Sequence, residues 1–149
     1  MALQPRSKKE VATALKKYAD KFDLSASDKT IIVETLLVKL EEKNIINDFR
    51  YAKDFVYSIS NSSKPRGRDY IKRFLAKKGI GQNIIDEAVL ETEDEDELQN
   101  AENLAEKKLK LLSKGNYFEK KKKLWSYLAR RGFSGETISY VIDKVLGVK

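Results

Sequence analysis

Cysteine and histidine are both absent from the 149 residues. Their absence removes the commonest zinc ligands, the usual serine or cysteine nucleophile-base pairs, and most proton-shuttle chemistry near neutral pH. The composition therefore weighs against an enzyme, and it implies no cofactor. Without cysteine there is no disulfide scaffold, and the N-terminal MALQPRSKKEV lacks an apolar signal core, so a reducing cytoplasm is the expected setting. No apolar run approaches the roughly 20 residues that a membrane span needs. A phosphate-cradling glycine loop is missing too, and no small-molecule substrate is expected. Carboxylate-only metal or glycosidase sites stay open in principle. Yet the one dense acidic cluster, Glu91 to Glu97, puts six carboxylates in seven consecutive positions, which is not the spacing that converges on a substrate.

What the chain does have is a repeat. The stretch Gly67 to Ile80, GRDYIKRFLAKKGI, returns as KKKLWSYLARRGF, Lys121 to Phe133, at an offset of 53 residues. Stepped at about 100° per residue, the first copy puts Tyr70, Ile71, Phe74 and Leu75 on one side and Asp69, Lys72, Arg73 and Ala76 on the other. Leu124, Tyr127 and Leu128 repeat the apolar side. Gly79 and Gly132 each follow a basic last turn, where a residue without a Cβ can take the left-handed conformation that ends a helix. A shorter helix follows each copy, with Ile84, Ile85, Ala88 and Val89 matched by Thr137, Ile138, Val141 and Ile142. Upstream, Tyr51, Ala52, Val56 and Ile59 project onto Leu104, Ala105, Leu109 and Leu112. The unit thus has three helices. Such a unit buries little surface alone, while ordering its backbone costs roughly 1 to 2 kcal/mol per residue, so neighbouring units are expected to stack.

The expected fold is all-α: tandem three-helix repeats stacked into an elongated, curved array of either hand. Residues 6–46 read as a first repeat showing only its last two helices, 47–92 as the second and 93–149 as the third. The first repeat begins with a helix from about Ser7 to Lys21, carrying Val11, Ala14, Leu15 and Tyr18 on one side. A second, Thr30 to Lys43, carries Ile32, Leu36, Leu37 and Leu40. Lacking its first helix, this repeat would expose the surface that helix covers elsewhere, as a fragment would. Asn47 or Asp48 caps the next helix. Ser60 to Gly67 is the most turn-like segment, and Glu91 to Glu97 reads as a solvated linker whose acids favour the dipole of the following helix.

Net charge is +7, with 36% charged residues. The basic residues gather on helices that should be equivalent in successive units, so the charge is repeated in space. Each group could meet phosphates or an acidic protein, and charge alone does not choose. The candidate contacts are Arg66, Arg68, Lys72, Arg73 and Lys77 in the middle unit, with Lys121, Lys122, Trp125 and Arg130 in the last. The basic residues would dock electrostatically. Trp125, off the apolar stripe, would anchor a partner or a stacked base, or else seal the edge of the core. Lys78 and Arg131 point toward the core and are expected to snorkel or to cap carbonyls. Tyr57, Tyr70 and Tyr127 are expected in the core or at its boundary.

Three motifs occur in order: Asn47-Asp48-Phe49-Arg50-Tyr51-Ala52, then Gly67-x-x-x-Ile71-x-x-x-Leu75-x-x-Lys78-Gly79-Ile80, then Leu124-x-x-Tyr127-Leu128-Ala129-Arg130-Arg131-Gly132-Phe133. Together they resemble the bacterial RecX family of regulatory proteins, from about Ser7 to Val145. Pro65 departs from the pattern, since many members have the proline after the glycine. The resemblance implies tandem three-helix units and a modulator that binds in the groove of the RecA recombinase filament, limiting its growth, ATP hydrolysis, strand exchange and repressor cleavage. It also implies DNA binding. For Asp48 and Arg50 structural roles are expected, a cap and an inter-helix contact. The rival readings are a basic helical module acting on single- or double-stranded DNA, and a helical scaffold for some other acidic protein.

Overall fold

The computed structural model describes residues 4–92 and 94–147, which form eight α-helices and no strand. They are α1 (Lys8–Ala19), α2 (Ala26–Glu42), α3 (Asp48–Ser60), α4 (Arg68–Lys77), α5 (Gln82–Leu90), α6 (Asp94–Leu111), α7 (Tyr117–Arg130) and α8 (Gly135–Leu146). The chain is an all-α helical repeat.

Local signals set the helix ends. Ser7 and Glu10 form a reciprocal capping box at α1, and the side chains of Ser25, Asn47, Asn116 and Ser134 each accept an amide of the first turn that follows. At the other end, Gly79 and Gly132 take φ of 80° and 86°. There the amides of Ile80 and Phe133 reach back to the carbonyls of Leu75 and Leu128, the Schellman closure, in both copies.

Three separate apolar clusters form. The first lies between α1 and α2, around Val33, Leu37, Ile46 and Ala19. The second joins α3, α4 and α5 around Ala52, Ile71, Leu75 and Ile85. The third joins α6, α7 and α8 around Ala105, Leu124, Leu128 and Ile142. In the two complete bundles α3 packs on α5 and α6 on α8, with Ala52, Ala101 and Ala105 fully buried in these clusters. Phe55 and Phe74 stack at 4.2 Å between α3 and α4. Each fully buried leucine or isoleucine contributes about 1.5–3 kcal/mol, so each bundle depends on a handful of side chains. Because the cores are separate, the molecule exposes 10504 Å², roughly a third more than the ~7,800 Å² of a compact protein of this mass. The array is extended.

Several sequence expectations shift. In α1 the packed residues are Val11, Ala12, Leu15 and Ala19, whereas Ala14 and Tyr18 are exposed. In α2 the packed stripe is Val33, Leu37 and Leu40, and Ile32 and Leu36 face outward. The stripe is rotated because, among the described residues, α1 is the main helix packed on α2. Tyr57 is exposed, not a boundary residue. Arg50 pairs with Asp54 one turn along its own helix, and none of the ion pairs among the described residues takes it to another helix.

The bundles are joined through helix ends. Helix α4 starts at Gly67, which has no side chain to cap its amides. The last bundle supplies the acceptors: Arg131 O receives the Gly67 amide at 2.8 Å, a Glu97 carboxylate oxygen the Arg68 amide at 3.1 Å, and Gly132 O the Asp69 amide at 3.0 Å. The Arg131 guanidinium in turn donates to the carbonyls of Lys64 and Pro65, as its inward phase suggested. Arg68 spans the same joint, donating to Thr92 and pairing with Asp94 and Glu97. A second joint of the same kind lies at the N-terminus of α1. Ser7 is buried and donates to Lys78 O at 2.7 Å, and the Lys8 amide donates to Asp48 at 2.8 Å. Asp48 is thus a cap, but for a helix 40 residues earlier. The Lys78 ammonium pairs with Glu10 at 2.6 Å. That hydrogen bond, with one from the Ser7 amide, holds the Glu10 carboxyl below its ordinary value, and the same bond raises Lys78.

Two predictions follow from the joints. A Cβ at Gly67 would lie 2.2 Å from Gly132 O, whereas one at exposed Gly135 would meet only Trp125 at 3.9 Å. Gly67→Ala should therefore cost at least about 2 kcal/mol in urea unfolding, and Gly135→Ala should stay within about 0.5 kcal/mol of the parent. The second concerns pH. A lowered folded-state pKa at Glu10 gives stability that is present above the ordinary carboxyl value of 4.5 and lost as pH falls through the folded value. Amide exchange in the first turn of α1 should accelerate below about pH 4.5 in the parent. In Glu10→Gln it should already be fast at pH 6, with no further acid dependence from this site.

Candidate functional site

The outward side of α4 keeps the phase its sequence gives it: Asp69, Lys72, Arg73 and Ala76 are all exposed. Helix position alone does not make a site, but the joint at Gly67 adds a second wall. Lys72 and Arg73 border a groove with Asp69, Ala129 and Gly132, so the end of α7 lies alongside the basic side of α4. Lys72 also borders a hollow with Glu97 and Leu98 of α6, with Ser134 and Glu136 at the start of α8, and with Tyr140 midway along it. The Arg73 guanidinium donates to Asp69 O at 3.2 Å, which lays it along the helix surface. Arg130, next to Ala129, is exposed at the same end of α7.

The other candidates are spread out. Arg68 is turned inward to the Thr92, Asp94 and Glu97 cluster, so the sequence expectation of an outward contact gives way to a strut between bundles. Its carboxylate partners belong to the acidic run read as a solvated linker. Asp94 to Glu97 form the first turn of α6, and Glu93 lies outside the described residues. Arg66 stacks its guanidinium 4.7 Å from the Tyr70 ring and borders a different hollow with Lys53, Tyr57 and Asn100. Lys77 lies at the α1 joint, beside Lys9, Glu10, Tyr51 and Phe74. There burial raises the pKa of the Tyr51 hydroxyl. In the last bundle Lys121 lies 3.9 Å from Asp143, Lys122 is exposed, and Trp125, 40% exposed, sits beside Gly135.

The structure therefore brings Lys72 and Arg73 together on one groove and leaves Arg66 and Lys77 on other surfaces. Sequence reasoning missed Tyr140, which is exposed in the same hollow as Lys72. The signal was there: Tyr140 falls off the Ile138, Val141 and Ile142 stripe of α8. Among the described residues no cluster of carboxylates could hold a metal ion, and no helix is long and apolar enough to cross a membrane.

Known proteins share this arrangement. The family model described as RecX, second three-helix domain, matches residues 47–89, and that for the RecX third three-helix domain matches 94–142. The regulatory protein RecX of Chlorobium phaeobacteroides (strain BS1) is 36% identical over 139 residues, which are 93% of this chain and 83% of that one. That of Clostridium beijerinckii is 34% identical over 145 residues, 96% of this chain and 63% of the longer relative. The crystal structure of RecX from Lactobacillus salivarius superposes with a TM-score of 0.82 at 30% identity, covering 97% of this chain and 88% of that one. Motif order, helix order and similarity across nearly the whole length agree, and the chain belongs to the RecX family of regulatory proteins.

Proposed function

We propose that this protein binds the RecA nucleoprotein filament in the cytoplasm and restrains its ATPase, strand-exchange and co-protease activities. It would act by occupying a groove across neighbouring protomers, without chemistry of its own. The observation that carries the reading is the pair Lys72 and Arg73, held on an open groove between two bundles whose joint fixes the second wall. A filament groove is a repeating surface, and an extended array of similar units suits it better than a compact domain would. The division into units at 6–46, 47–92 and 93–149 belongs to this proposal, and three separate apolar clusters support it. Lys72 and Arg73 make the central contact. Arg130, Lys121, Lys122 and Trp125 extend it along the last unit, and Arg66 and Lys77 reach it only from the margins. Arg68 contributes by holding the joint.

A second reading is DNA binding in its own right, favoured by the net charge of +7. The two are separated by hydrolysis of ATP by preformed RecA filaments on single-stranded DNA. Under the first reading, this protein suppresses hydrolysis well below one molecule per RecA, and excess DNA does not restore it. Relief in proportion to added DNA would select the second.

Reversing Lys72 and Arg73 to glutamate should raise the half-inhibitory concentration at least about tenfold while leaving helicity unchanged by circular dichroism. Unchanged inhibition by the folded double variant would remove this face from the interface. Direct binding to single-stranded DNA, followed by fluorescence anisotropy against salt, should give a log-log slope of about −0.7 per phosphate contact. The double variant should lower that slope by about 1.4 if both residues meet phosphates.

A further inference from the structure

Three hollows meet at Lys72. One is the groove with Arg73, Ala129 and Gly132, another reaches α6 and α8, and the third lies toward Asp86 and Leu90 of α5. Among the residues bordering them are five carboxylates, Asp69, Asp86, Asp94, Glu97 and Glu136, against three cations, Arg68, Lys72 and Arg73. Arg68 is committed to Asp94 and Glu97. Asp69, Asp86 and Glu136 are exposed, and neither they nor Lys72 and Arg73 take part in any ion pair found among the described residues. The outward surface is therefore a basic pair with an acidic rim drawn from α4, α5 and α8.

The rim matters differently to the two kinds of partner that a basic pair could take. A nucleic-acid backbone presents one sign of charge, about one negative charge per 1.7 Å along a duplex. On α4, Asp69 lies three and four residues before Lys72 and Arg73, hence on their side of the helix. A strand laid on the pair thus runs beside Asp69, with Asp86 and Glu136 across the adjoining hollows, and repulsion between exposed charges acts over roughly 10 Å at 0.1 M salt. A protein surface carries both signs. It can set carboxylates against Lys72 and Arg73 and cations against the rim in one docking.

We propose that Asp69, Asp86 and Glu136 are specificity-determining residues, which keep the nucleic-acid backbone out of the Lys72 and Arg73 groove and reserve it for a protein surface of mixed charge. The assignment rests on the reading of this groove as the filament contact. It puts that contact on the protein of the filament, not on its DNA. The rim exerts its effect by what it excludes, so its loss should widen the range of partners and not simply weaken binding.

The triple variant Asp69→Asn, Asp86→Asn and Glu136→Gln removes the rim and leaves Asp94 and Glu97 on Arg68. Its affinity for a fluorescein-labelled oligothymidylate strand, followed by anisotropy at about 50 mM salt, should rise at least about fivefold over the parent, and the gain should vanish by about 0.5 M. Each single change should give part of that gain. A control neutralises three exposed carboxylates of the first unit, Asp23→Asn, Glu34→Gln and Glu42→Gln, and so makes the same change in net charge. It should gain less than about twofold. In the hydrolysis assay, excess DNA should relieve inhibition by the rim variant and leave inhibition by the parent in place. Equal affinity of parent and rim variant for the strand, or an equal gain in the control, would overturn the proposal, provided circular dichroism shows parental helicity. Absence of inhibition by the parent would instead count against the filament reading, and the strand-binding comparison, which needs no RecA, would still decide the role of the rim.

Discussion

The first amides of a helix need acceptors, and in this protein one bundle supplies them to the next. Gly67 gives α4 no side-chain cap, and the carbonyls of Arg131 and Gly132 with the Glu97 carboxylate close its first turn. Leaving a buried donor unsatisfied costs about 1–3 kcal/mol, so the bond from the buried Gly67 amide anchors the joint and the two beside it fix its direction. The arrangement also explains the conformations on both sides. Gly132 must be left-handed to end α7, and its carbonyl then points at α4, while Gly67 must lack a Cβ because that carbonyl fills the space.

Function in such a molecule depends on where the joints hold exposed side chains. The basic side of α4 is open because its opposite side is committed to a core, and the joint brings the end of α7 beside it. Arg68 lies on the same helix yet is drawn into carboxylates of α6. One helix thus divides its cations between assembly and an outward surface. An extended array multiplies such surfaces, at the expense of a single large core.

The fold was legible wherever a local rule was strong. Gly79 and Gly132 after basic turns marked two helix ends with their left-handed backbone, and the 53-residue offset revealed the units. The inward reading of Arg131 also came through, because helical phase places a long side chain without knowledge of its neighbours. What did not come through depended on partners distant in sequence. The packed stripe of α2 lies on Val33 and Leu37 because, among the described residues, no second helix packs over Ile32 and Leu36. Glu97 looked like one more acid in a run, and its role at Arg68 needed the 29-residue separation to be closed in space. Of the candidate site, the pairing of Lys72 with Arg73 was visible as helical phase, and so was the outward phase of Tyr140, whereas the hollow that sets Tyr140 opposite Lys72 depends on contacts distant in sequence.

The cross-bundle closure of α4 bears on how the chain is made. Gly67 leaves the ribosome 64 residues before Arg131 does, so through most of that interval the first turn of α4 has only water for acceptors. At α1 the Ser7 and Glu10 capping box closes the first turn locally, and what waits is the bond of the Ser7 hydroxyl to the Lys78 carbonyl. The first and second units become final only after their successors have emerged, so their consolidation lags behind their synthesis by one unit.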